Sequence, residues 1–75
     1  MEIKIKLMGM LAGQTPQDGK LQLPDDATIE NALIAVDVPV ERIAAFTVNG
    51  SLIKDRQHVL AAGDELTVLP PVGGG

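Results

Sequence analysis

Apolar and polar residues alternate at the start of the chain. Ile3, Ile5 and Leu7 fall on one face, and Glu2, Lys4, Lys6 and Met8 on the other. Period two predicts a half-buried strand over residues 2–8. From Gly9 to Gly19 the pattern is lost among Gly9, Gly13, Pro16 and Asp18-Gly19, which is turn chemistry. Leu21 and Leu23 alternate with Lys20 and Gln22 in a second strand that Pro24 ends. Ile29, Ala32, Leu33 and Val36 then recur at i, i+3, i+4 and i+7, one apolar helical stripe. Thr28 is placed to cap this helix, with Asp25 and Asp26 before its positive end, and Pro39 stops it. Val40 to Ala44 suits a short helical turn. Ala45 to Val48 reads as a third strand and Asn49-Gly50 as a tight hairpin turn. Leu52-Ile53 forms a short fourth strand. Glu65 to Leu69 is the last strand, closed by Pro70-Pro71.

The order is β-β-α-β-(β)-β. A single amphipathic helix must bury its stripe on one face of a mixed sheet, since nothing else in the chain can cover it. The expected class is α+β: a ubiquitin-like β-grasp with four to five strands packed on one helix. Residues 1–70 form the domain, and residues 71–75 a flexible glycine tail.

Composition narrows the chemistry. The chain has 75 residues, 45% of them hydrophobic, and one aromatic residue, Phe46. That is one thin-cored domain with no stacking platform for bases. Six Lys/Arg against ten Asp/Glu leave a net charge of −4, which argues against nucleic acid and favours a basic protein partner. The absence of cysteine excludes a disulfide scaffold, a thiolate metal site and a persulfide on the chain itself. One histidine, His58, is too few for a multi-histidine metal site, and no metal is expected. The sequence shows neither a signal-peptide h-region nor an apolar span, so a soluble, cytoplasmic protein without membrane contact is expected.

Most charged residues read as ordinary surface. Asp25, Asp26 and Glu30 suit helix capping better than cation binding. His58 sits in a polar loop without a nucleophile to serve, and Lys4, Lys6, Lys20 and Lys54 are scattered without a phosphate loop. The C-terminus differs. Pro70-Pro71 stiffens the exit from the last strand, and Gly73, Gly74 and Gly75 make a tip without Cβ atoms that can enter a narrow channel. From Pro70 to Gly75 the reach is roughly 20 Å at about 3.3–3.6 Å per residue. The group presented there is the α-carboxylate of Gly75.

Val48-Asn49-Gly50, Gly63-Asp64-Glu65-Leu66 and the run Pro70-Pro71-Val72-Gly73-Gly74-Gly75 together resemble the MoaD/ThiS sulfur-carrier family. The ending is more similar to the molybdopterin-synthase small-subunit branch than to the thiamin branch. Met8 and Leu69 stand where that branch commonly carries aromatic residues, and the segment from Gly9 to Gly19 lacks its Leu-Arg-Glu run. The resemblance implies a carrier rather than an enzyme. Gly75, preceded by Gly74, is adenylated by an ATP-dependent, ubiquitin-activating-like adenylyltransferase and then converted to a thiocarboxylate. Pro70, Pro71, Val72 and Gly73 form the part of the tail that threads the channel. No cofactor is bound; ATP is used by the activating partner. The other implied partners are a sulfur donor protein and a sulfur-accepting synthase subunit.

Docking requires a surface. By alternation Met8 and Leu69 point away from the core, and either Ile53 or Leu52 must also face out. The family's apolar sheet face near the tail corresponds to Met8, Ile53 and Leu69. The pathway served is most simply molybdenum or tungsten cofactor biosynthesis. The alternatives are a carrier for thiamin or another pathway, a ubiquitin-like modifier joined to lysines, and a non-covalent β-grasp module similar to the RNA-associated TGS domain.

Overall fold

The computed structural model describes residues 1–71. Five strands form one sheet: β1 (Glu2–Leu7), β2 (Lys20–Gln22), β3 (Ala45–Val48), β4 (Ser51–Ile53) and β5 (Glu65–Leu69). Their order across the sheet is β2-β1-β5-β3-β4. β1 and β5 run parallel, and the remaining pairs are antiparallel. A single α-helix, α1 (Ile29–Ala35), lies between β2 and β3 in sequence. This is the ubiquitin-like β-grasp.

Alternation decides what the sheet buries. Ile3, Ile5, Leu7, Phe46, Val48, Leu66 and Val68 are all buried and share one face, and Ile29, Ala32, Leu33 and Val36 belong to the same core. Among the described residues no polar side chain is buried, so the interior carries no uncompensated polar group. Thr28 caps α1 as expected. Its side chain accepts from the Asn31 amide at 3.2 Å, and the Asn31 side chain accepts from the Thr28 amide at 2.9 Å, a reciprocal capping box.

The helix stops before Pro39 takes effect. Asp37 adopts φ +59, and the amides of Asp37 and Val38 donate back to the carbonyls of Ile34 and Leu33 at 3.1 and 3.0 Å. This is a Schellman closure, with buried Val38 just past the end. The Gln14 side chain donates to the Val36 and Asp37 carbonyls at 3.2 and 2.6 Å, satisfying oxygens that the helix end leaves free.

The segment expected as plain turns holds a 3₁₀-helix, Gly9–Gln14, which places Leu11 in the core at 1% exposure. A second 3₁₀-helix, Val40–Arg42, occupies the predicted helical turn. Asn49 and Gly50 have φ +53 and +85, the left-handed pair a two-residue hairpin requires. The Asn49 side chain also donates to Asp64 at 3.0 Å and accepts from the Glu65 amide at 2.9 Å, fastening the β3–β4 hairpin to the start of β5. Among the described residues no helix is long and apolar enough to cross a membrane.

Candidate functional site

β5 is the central strand, flanked by β1 and β3, so the chain leaves the sheet from its middle. The last ladder bonds are Met8 N–H to Val68 O at 3.0 Å on one side and Ala44 N–H to Leu69 O at 2.9 Å on the other. Pro70 comes next. It has no N–H to donate, so the strand ends there by chemistry as well as by sequence. Pro70 is half-buried and Pro71 exposed. Val72, Gly73, Gly74 and Gly75, the rest of the expected tail, lie outside the described residues.

The solvent face of the sheet is set by the register. Leu69 pairs with Ala45, and the β1–β5 register brings Met8 beside Leu69. Thr67 pairs with Thr47, which pairs in turn with Leu52. Directly opposed residues in a sheet point to the same side. Met8, Leu69, Ala45 and Leu52 therefore share the outer face around the root of the tail. Met8 is 36% and Leu52 58% exposed.

Ile53 does not join them. It stands opposite Phe46, points to the helix side and packs against the core. There it lines, with Phe46, Val40 and Ile43, a cleft of about 510 Å³ whose lining also includes Lys54 and Arg56. The outward residue of the pair is Leu52. β4 is too short and too near the edge for its alternation to show which of the two neighbours turns inward.

Charge on the outer face also differs from what the net charge suggests. Lys20 pairs with Lys4, Lys4 with Glu65 and Lys6 with Thr67, while Glu2 pairs with Gln22. This face is mixed and rich in lysine. Asp25, Asp26, Glu30, Asp37 and Glu41 lie instead on or beside α1 and the turns that flank it. The overall −4 is thus carried mostly away from this face.

Two of these acidic residues, Asp25 and Glu30, are engaged locally. Asp25 approaches the Met1 amino group at 3.7 Å, and Glu30 approaches Arg56 at 3.8 Å and accepts from the Gln57 side chain at 3.2 Å. Among the described residues, no group of three or more His, Asp or Glu is arranged to hold a metal ion. His58 contributes through its backbone: its carbonyl accepts from the Ile29 amide at 3.1 Å at the helix start. At the root of the tail Met8, Gly9, Ala44, Leu69 and Pro70 come together, and Gly9 there adopts φ +56. The sequence pattern places Gly9 in a turn segment and gives it no part in the site, although a glycine directly after a strand was the available signal.

The ThiS family model matches residues 5–75. No protein of curated function matches significantly. Among solved structures, SAMP1 from Haloferax volcanii is 26% identical, covers all of both chains and superposes with a TM-score of 0.73. The putative molybdopterin converting factor subunit 1 from Pyrococcus furiosus is 18% identical over 96% of this chain and 99% of that one, with a TM-score of 0.73. In the complex of subunits 1 and 2 of molybdopterin-converting factor from Helicobacter pylori, the matching chain is 19% identical, fully covered on both sides, with a TM-score of 0.62. The last two likenesses establish the fold alone.

Proposed function

The chain belongs to the ThiS family, and on that premise we propose that it carries sulfur on its C-terminal residue, Gly75. The observation that carries this reading is the family match itself, which runs from β1 through the terminal glycines to residue 75. The exit at Leu69-Pro70 is the structural counterpart, because the chain leaves the sheet there from its central strand rather than from an edge.

The chemistry starts from the carboxylate. A free α-carboxyl has a reference pKa of about 3.3–3.7, so at neutral pH it is an anion and a poor electrophile. One carboxylate oxygen of Gly75 attacks the α-phosphorus of ATP and pyrophosphate leaves, giving an acyl adenylate. The terminal sulfur of a donor protein's persulfide attacks the acyl carbon and AMP leaves. A second thiol then cleaves the acyl disulfide, releasing the thiocarboxylate and forming a disulfide on the donor side. This chain has no cysteine, so every thiol in the sequence of steps comes from partners. Its own part is to dock through Met8, Leu69, Ala45 and Leu52 and to deliver Gly75. The acceptor is a synthase subunit, and the pathway is molybdenum or tungsten cofactor biosynthesis; the Helicobacter pylori structure, a two-subunit complex, is the pattern for such a pairing.

Intact mass tests the proposal. After incubation with ATP, a persulfide donor and the activating enzyme, the chain gains the mass difference of sulfur for oxygen. A chain lacking Gly74 and Gly75 gains none. An unchanged mass for the full chain, with active partners, refutes the carrier reading.

A second reading, a ubiquitin-like modifier joined by an isopeptide bond, is favoured by the full-length likeness to SAMP1, the small archaeal modifier protein 1. It predicts lysine-linked conjugates of higher mass in cells, which a carrier confined to sulfur transfer does not form.

A further inference from the structure

Pro70 rests on Gly9. Gly9 lies just past the end of β1 with φ +56, and a Cβ built there would stand 2.8 Å from Pro70 Cγ and 3.7 Å from Pro70 Cδ. The shorter distance is one that real Cβ atoms essentially never show, so a side chain at residue 9 forces Pro70 or residue 9 itself to shift. The proline ring is closed onto its own backbone nitrogen and cannot swing aside as a flexible side chain can. Beyond the small travel of Cγ that a change of ring pucker allows, relief on the proline side requires the backbone at residue 70 to move. Movement back along β5 is opposed by the ladder bonds to Val68 and Leu69 from Met8 and Ala44. The displacement is then directed outward, into Pro71.

We propose that Gly9 is a positioning residue: its bare backbone is the seat of Pro70 and sets the direction in which the chain leaves β5. The catalytic consequence rests on the carrier reading above, but the steering itself does not. A change in the direction of the chain at Pro70 changes where the residues after it are delivered. A misplacement of about 1 Å at a reacting centre can cost roughly a hundredfold in rate.

The test is a double-substitution cycle of Gly9→Ala, Pro70→Ala and the two combined. Pro70→Ala removes the Cγ and Cδ atoms that the new Cβ meets, while the left-handed strain of alanine at residue 9 persists in the double variant. Because the chain has no cysteine, a nitroxide attached through Gly75→Cys reports tail direction by broadening amide signals on the domain. Gly9→Ala is expected to shift the broadening pattern. The double variant is expected to give the pattern of Pro70→Ala alone, although it remains less stable than Pro70→Ala. An unchanged pattern in folded Gly9→Ala overturns the proposal, as does the same shift whether residue 70 is proline or alanine. Gly9→Asn carries the same Cβ in a residue that tolerates positive φ, and it replaces Gly9→Ala if that variant does not fold.

The second readout is adenylation by a ubiquitin-activating-like adenylyltransferase that accepts the parent chain. Gly9→Ala should lower kcat by about tenfold or more with KM little changed, because the docking face is intact and only delivery is misdirected. A raised KM at constant kcat overturns the positioning role. A parent chain that no such enzyme adenylates overturns the carrier reading, and the nitroxide pattern then judges Gly9 by itself.

Discussion

Ile53 stands directly opposite Phe46 across the β3–β4 hairpin, so its side chain points toward the helix while Leu52, one residue earlier, points to solvent. Two adjacent leucine-sized residues in a three-residue strand thus have opposite roles. Leu52 adds to the apolar face beside the tail, and Ile53 adds to the core.

This yields a paired prediction. Ile53→Asp places a carboxylate against the core and should destabilise the domain by about 1–3 kcal/mol, seen as a lower urea midpoint. Leu52→Asp should leave the midpoint nearly unchanged and weaken capture by the activating enzyme. A destabilised Leu52→Asp with a tolerant Ile53→Asp would mean that the strand is turned over.

Leu69→Asp tests the face at its centre. Burying a leucine at an interface contributes roughly 1.5–3 kcal/mol, and a carboxylate there adds desolvation. Adenylation of Gly75 should fall about tenfold or more through KM, with the domain still folded by circular dichroism. Unchanged adenylation in a folded variant would remove the outer face from the docking surface.

Leu11→Ala should cost about 2–5 kcal/mol, comparable to Leu33→Ala in the helix stripe, because both side chains are almost fully buried. Chemical denaturation measures both. A cost for Leu11→Ala of only a few tenths of a kcal/mol would show that the Gly9–Gln14 segment lies on the surface.

Asp37→Gly should stabilise the domain by up to about 1 kcal/mol. Asp37 closes the helix at φ +59, a conformation that costs residues with a Cβ and not glycine. The thermal midpoint should rise, and a fall would indicate that the Asp37 side chain has a stabilising role that outweighs its backbone strain.

Deleting Gly74 and Gly75 should leave the thermal midpoint unchanged and abolish adenylation. Unfolding of the shortened chain would place those glycines in the fold rather than in the chemistry.

Wherever one face of an element is buried over several residues, periodicity alone determined the structure. The alternation Ile3, Ile5, Leu7 assigned β1 to its face because period two leaves no other choice. The stripe Ile29, Ala32, Leu33, Val36 likewise assigned α1, and Asn49-Gly50 its turn. The run from Pro70 to Gly75, read with Val48-Asn49-Gly50 and Gly63-Asp64-Glu65-Leu66, carried the resemblance to the family whose model matches residues 5–75, because such motifs are legible in residue types alone. Three other features belonged to the tertiary structure. Leu11 enters the core from a segment without periodicity, so only the cavity it fills explains it. Ile53 turns inward because its register against Phe46 is set by the hairpin, and three residues are too few for alternation to declare a face. Gly9 meets Pro70 across 61 positions of sequence only because β1 and β5 lie side by side in parallel, a long-range pairing that neither local pattern contains.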